Sequence, residues 1–195
     1  VASVQGRGWT VVTAQEQADY DGLRGDSSAI ARACTSYCSY AQSLVTDAQV
    51  AAMLHDPKTS RGLIAEALAV GGNTLLDLAD TRYRTDVAGN DWQAAARDAN
   101  AYLSAVATEA TMNPGYRGMW KTKIGEPRLA EAEAHSGNIA GALALIASTP
   151  LDCDDCVRTR GRIAALNRDW AGAARWFQMV SARSPDIPFA DADWG

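Results

Sequence analysis

Few residues in this sequence invite chemistry. Its 195 positions hold four cysteines and two histidines. Four cysteines are too few to build a disulfide framework for a chain of this size. The histidines, His55 and His135, each stand alone, outside any HExxH pair or triad-like grouping. Gly71-Gly72-Asn73-Thr74 and Gly6-Arg7-Gly8 lack the surrounding GxxxxGK(S/T) of a phosphate loop and read as turn and tail. There is no CxxCH, so covalent haem is not indicated. No apolar run approaches the roughly 18 residues of a membrane span, so membrane insertion is not expected. Long β-branched or alternating stretches are missing, which leaves little argument for strands. Excess positive charge is missing too: the net charge is −5, which argues against a nucleic-acid partner. Val1 to Gly8 carry none of the charged and apolar regions of a signal peptide. The first residue is Val rather than Met, so a removed leader would be compatible with the sequence. The expected compartment is cytoplasmic, with the periplasm or export as the alternative.

What is present is apolar and helical. Hydrophobic residues make up 47% of the chain. Alanine dominates them, and it has the best helix propensity and lets helices approach closely. A repeat shows at the helix starts. Asp91-Trp92-Gln93-Ala94-Ala95-Ala96-Arg97 and Asp169-Trp170-Ala171-Gly172-Ala173-Ala174-Arg175 both read Asp-Trp-x-x-Ala-Ala-Arg. Gly137-Asn138-Ile139-Ala140-Gly141-Ala142-Leu143 is a weaker third copy. Asp or Asn before an apolar residue is a helix N-cap that accepts orphan N–H groups of the first turn. Taking Asp26, Thr59, Asp91, Asn138 and Asp169 as caps gives spacings of 33, 32, 47 and 31. Helical hairpins repeating about every 34 residues would give this rhythm, with roughly a dozen residues inserted in the long interval. First helices are expected near 13–24, 46–55, 74–88, 127–136 and 153–166. Second helices are expected near 27–45, 60–71, 91–111, 138–148 and 169–183. Thr13-x-x-Glu16 is a capping box for the first of them.

The segment Val157 to Pro185 resembles a tetratricopeptide repeat. Gly161 matches the small residue that lets the two helices touch, Ala173 and Phe177 match packing positions, and Pro185 closes the unit. In the segment 76–114 Ala95 fits, but Tyr83 occupies the small-residue slot. The first two hairpins share only the rhythm. The resemblance implies an all-α fold, a right-handed superhelical array of antiparallel hairpins. Residues 1–112 would form degenerate N-terminal hairpins and 113–127 an inserted Gly/Pro-rich loop. Residues 128–195 would form C-terminal repeat hairpins with the start of a further helix in Ile187 to Gly195. The family's groove positions, laid on the first helices, fall on Gln15, Asp19, His55, Asp77, Asp80, Arg84, Glu131, His135, Asp155, Arg158 and Arg162. Each reads alone as an ordinary solvated position. Together they imply a groove acidic in its middle and basic toward the C-terminus. Arg158 and Arg162 lie one helical turn apart and could clamp a carboxylate.

The remaining candidates have plain readings. Cys153-Asp154-Asp155-Cys156 is a CxxC at a helix start, where the helix N-terminus lowers a thiolate pKa. A thioredoxin-like redox site needs a βαβ context, and two flanking aspartates oppose a thiolate. Packed small residues or a local disulfide are therefore preferred. A zinc site would need Cys34 and Cys38 beside this pair, which stacked neighbours do not allow. Trp92, Trp170 and Trp176 fall at packing positions and are expected in the core. Tyr116 and Trp120, beside Arg117, Lys121 and Lys123, read as anchors that pin the insertion to the array, or else as a binding loop. The expected function is a scaffold that binds a protein or peptide partner through a concave groove, with no catalysis, metal or cofactor. Two alternatives are a regulatory or sensor module of a larger protein and a thiol-dependent, enzyme-associated domain.

Overall fold

The computed structural model describes residues 39–69, 75–109 and 113–183. Gln15, Asp19, Cys34, Cys38, the Asp26 cap, the first expected helix and the expected C-terminal helix start lie outside them. All regular structure among the described residues is helical: α1 Ser39–Met53, α2 Pro57–Ala69, α3 Leu75–Ala88, α4 Trp92–Thr108, α5 Pro114–Trp120, a π-helical turn Lys121–Gly125, α6 Glu126–His135, α7 Ile139–Ala147, α8 Asp154–Leu166 and α9 Trp170–Arg183. No described helix is long and apolar enough to cross a membrane.

The helices pair in chain order. α1 packs on α2, α3 on α4, α6 on α7 and α8 on α9. Successive pairs meet through α1 against α3 and α6 against α8, and through α2 on α3, α4 on α6 and α7 on α8. Each pair turns by one device. His55, Asn90, Gly137 and Arg168 take a left-handed conformation (φ 56°, 55°, 95° and 61°). Their N–H groups bond to Ala52, Val87, Ala134 and Ala165 carbonyls, and the next N–H in each case reaches a carbonyl five residues back. This is a Schellman C-cap, which satisfies the last carbonyls of the outgoing helix. The residue that follows, Asp56, Asp91, Asn138 or Asp169, then caps the incoming helix: its side chain accepts the N–H of Thr59, Ala94, Gly141 or Gly172. One residue therefore closes one helix and opens the next, which explains why these hairpins start on a shared Asp or Asn.

Three sequence expectations need correction. The second hairpin is capped by Asp56, not Thr59; Pro57 occupies the first turn, where a missing N–H costs nothing. No break separates residues 45 and 46: α1 runs through both, because Leu44, Val45, Ala48, Ala51 and Ala52 form one continuous buried face. The segment 113–127 is not a loop. Asn113 caps α5 by accepting the Tyr116 N–H, with Pro114 in the first turn, and the π turn carries the chain into α6 without interruption.

The core is a series of small contacts. Gly161 lies against Phe177, and a Cβ at position 161 would collide with that ring. This is the close approach of α8 and α9 that the repeat resemblance leads one to expect. Tyr83 is accommodated in its small-residue slot because Ala95, Ala99 and Ala132 face it. Between α7 and α8, the buried Arg160 donates to the carbonyls of Ile146 (2.6 Å) and Thr149 (2.7 Å) and lies 5.6 Å from the Trp176 ring centroid. The tryptophans divide: Trp92 and Trp176 are half-buried, whereas Trp170 is 67% exposed and is not core.

Candidate binding pocket

A pocket of about 360 Å³ opens where α3, the π turn, α6 and α8 converge. Tyr83 and Arg84 come from α3, Lys123 and Ile124 from the π turn, Pro127, Arg128 and Glu131 from α6, and Asp155, Arg158, Thr159 and Arg162 from α8. Five of these residues are cationic and two are anionic. Helical spacing aims them together: Arg128 and Glu131 stand three apart on α6, and Arg158 and Arg162 four apart on α8, so each pair shares a face.

All five cations sit in ion pairs. Arg84 Nε donates to Asp80 at 2.9 Å, and Arg128 donates to the other oxygen of the same carboxylate. Arg128 also lies 5.4 Å from the centroids of both the Tyr83 and Tyr102 rings, the geometry of a cation–π contact on either side. Arg162 donates to both Glu131 oxygens at 2.9 and 3.3 Å, tying α8 to α6. Arg158 pairs with Asp155 at 3.4 Å, and Lys123 with Asp152 at 3.0 Å. The Lys123 ammonium holds the Asp152 carboxyl below its ordinary pKa. Burial raises the Tyr83 hydroxyl well above its ordinary value, with the Glu131 charge adding to the effect. Burial also pushes Tyr102 up to about 12.

The π turn has a local cause. Pro127 has no N–H to give the carbonyl four residues back, Lys123. The Glu126 N–H bonds to Lys121, five residues back, instead of to Thr122. The widened turn sets Ile124 against Ala79, Tyr102 and Val106 while it also lines the pocket. Trp120 stacks on Tyr102 (centroids 6.3 Å apart, planes 16° apart) and pins the insertion there. Tyr116 is 58% exposed and pins nothing.

Of the residues placed in a groove by the repeat resemblance, Arg84, Glu131, Asp155, Arg158 and Arg162 line this pocket, and Asp80 backs it through its two arginines. Asp77 lies on α3, one turn before Asp80 and outside the lining. Two placements fail. His55 is the left-handed residue of the α1–α2 turn, exposed and on no helical face. His135 lies flat on Trp92, with ring centroids 3.6 Å apart, and burial lowers its pKa. Its role is to cover the α3–α4 hairpin. Along this stretch Arg84 and Arg128 bracket Asp80, while Asp77 and Glu131 add negative charge. Tyr83, Lys123 and Arg128 were not among the expected residues. Arg128 lies one turn ahead of Glu131 on α6, but only the meeting of α6 with α3 and α8 brings it to the pocket; Lys123 stands beside Trp120 in the segment expected to be an anchored or binding loop.

Among the described residues, no group of His, Cys, Asp and Glu is arranged to hold a metal ion. Cys153 and Cys156 form a disulfide at the start of α8, beside the pocket. No known family matches the chain, and neither a curated protein nor a solved structure is significantly similar to it.

Proposed function

We propose that the chain is a tetratricopeptide-like scaffold, a right-handed array of hairpins. In this reading the α3–α6–α8 pocket takes a carboxylate-rich segment of a partner protein. One observation carries the reading: five cations from four different elements converge on a single concavity that only two carboxylates line. The pocket is open enough to admit a side chain or chain terminus, and it is walled by guanidinium groups. Guanidinium forks bind carboxylates with two parallel hydrogen bonds, and the ion pairs within the pocket hold those forks in place beforehand.

Arg162 and Arg158 are the residues to change. The double substitution Arg158→Ala and Arg162→Ala is expected to weaken capture of the native partner, and of a dye-labelled hexaglutamate peptide, by about tenfold or more. Binding of the unaltered protein is expected to fall as salt rises, since screening weakens the attraction. Unchanged affinity in a double variant that keeps its helical circular dichroism would reject the pocket.

A further inference from the structure

We propose that Cys153 and Cys156 form a reversible dithiol–disulfide pair whose state sets the rigidity of the π turn. Where that turn forms a wall of the pocket, the consequence for binding rests on the function proposed above.

Two carbonyls of the π turn lack their helical donors. In a regular helix the Thr122 and Lys123 carbonyls would accept from the N–H groups of residues 126 and 127. Residue 127 is proline, and the Glu126 N–H is committed to Lys121. Carbonyls stripped of their helical donors and partly withdrawn from water need other partners. The atoms that face them are the cysteine sulfurs. Cys153 Sγ lies 3.7 Å from the Lys123 carbonyl oxygen, and Cys156 Sγ lies 3.6 Å from that of Thr122 and 4.0 Å from that of Lys123. Sulfurs bonded to each other carry no proton and can donate to neither. Two thiols in the same places carry one donor each, matched to two acceptors. The dithiol thus completes the hydrogen bonding of the π turn, and the disulfide leaves it incomplete.

A cysteine with the ordinary pKa of about 8.5 is a thiol, and so a donor, at neutral pH. Asp154 and Asp155 sit between the cysteines and oppose negative charge on sulfur. The Cys156 N–H bonds to Cys153 Sγ at 3.1 Å, which keeps that sulfur at the helix cap. Access is one-sided: Cys153 is 8% exposed and Cys156 is fully buried. Reduction by a small-molecule thiol therefore starts at Cys153. The external thiolate bonds to Cys153 Sγ, and the bond to Cys156 breaks with its electron pair on Cys156, which takes up a proton. A second external thiolate bonds to the external sulfur of this mixed disulfide, and the bond to Cys153 breaks with its electron pair on Cys153, which is then protonated. Two electrons and two protons enter the protein, and the external thiols leave as their own disulfide. Lys123 and Ile124, which line the pocket, ride on the turn that this exchange tightens.

The test uses the full chain equilibrated in oxidised and reduced dithiothreitol. The state of the pair is read by mass-tagging on the peptide that carries Cys153 and Cys156, and the turn by amide exchange over residues 122–128. Reversible conversion is expected, with exchange in this segment at least about fivefold faster in the oxidised protein. Variants isolate the donors. Cys153→Ser with Cys156→Ser keeps two hydroxyl donors and cannot oxidise, so exchange is expected to stay slow in both buffers. Cys153→Ala with Cys156→Ala removes the donors, so exchange is expected to be fast in both. Equal exchange in the two states of the unaltered chain, or a serine pair that behaves like the alanine pair, overturns the proposal. Hexaglutamate binding is read separately and is expected to weaken severalfold on oxidation. Loss of binding in both states with the exchange difference intact overturns the pocket reading and supports the switch. Equal binding in both states overturns the link between the turn and the pocket.

Discussion

At the scale of single residues, the charged side chains that matter most are the half-buried ones. Asp98 on α4 borders a second, shallower concavity with Asp86, Arg61 and Arg82. Burial, then a hydrogen bond shared with Asp86 and the repulsion of that carboxylate, raises its pKa from 3.8 to about 6. The folded chain therefore holds a proton that the unfolded chain has released between about pH 4 and 6. Where the unfolded state binds fewer protons, stability falls as pH rises. Urea unfolding is expected to show stability declining across that window. Asp98→Asn, which cannot ionise, is expected to flatten the decline and to be the more stable protein at pH 7. An equal slope in both proteins would show that this carboxyl titrates normally. Arg160 illustrates the opposite arrangement. Its charge is spread over carbonyls of the α7 C-terminus and of the segment before α8, so that a guanidinium takes the place of water at a buried chain reversal.

At the scale of elements, the repeated unit is the turn rather than the helix. Four turns share the same pair of backbone bonds, yet only one, at Gly137, uses glycine for the left-handed residue. A side chain in that conformation is strained by the contact between Cβ and the carbonyl that follows. His55→Gly and Arg168→Gly are each expected to stabilise the chain by about 0.5 kcal/mol, the relief of strain exceeding the added freedom of the unfolded chain. Gly137→Ala is expected to destabilise it by about 1 kcal/mol. Chemical denaturation of the three variants checks both signs, and a His55→Gly protein less stable than its parent would contradict the account. The same turns decided which sequence expectations succeeded. Asp91, Asn138 and Asp169 were legible as caps because an apolar residue follows each of them directly. Asp56 was passed over because Pro57 follows it and Thr59 looked like a cap of its own. The segment that holds α5 reads as a loop for a related reason: Pro114, Gly115 and Gly118 are breakers in a helix interior, but Pro114 falls in a first turn.

At the scale of the whole molecule, helices pack most extensively within their own hairpin and next on the adjoining one. Where neighbours supply most of the packing, stability is close to a sum of local terms, and damage stays local. Gly161→Ala tests this, because the added methyl group must push the Phe177 ring away from α8. Overpacking of this kind costs about 1–3 kcal/mol. Amide exchange is expected to accelerate through α8 and α9 while α1 and α2 keep their protection. Uniform acceleration across all helices would mean that the described residues unfold as one unit. The pocket belongs to this scale as well. Arg128 reaches from α6 to Asp80 on α3, and Arg162 from α8 to Glu131 on α6, so the pocket is held by the pairs that span its seams.

The sequence by itself determined the helical class, most of the helix limits from residue 57 onward and the alternation of short hairpins. These follow from alanine content, apolar periodicity and capping residues, all of which act within a turn or two of chain. Residues three or four apart on one helix, such as Arg158 and Arg162, share a face on that ground alone, but that Arg84, Glu131 and the α8 residues face one pocket depended on how α3, α6 and α8 meet. Only the tertiary structure decided that Arg128 and Lys123 join them, that His135 covers a tryptophan instead, and that the cysteine pair faces carbonyls left bare by Pro127 some thirty residues earlier. Those outcomes depend on which helices meet and at what rotation. Packing sets both, and it sums weak contacts between residues that are far apart along the chain.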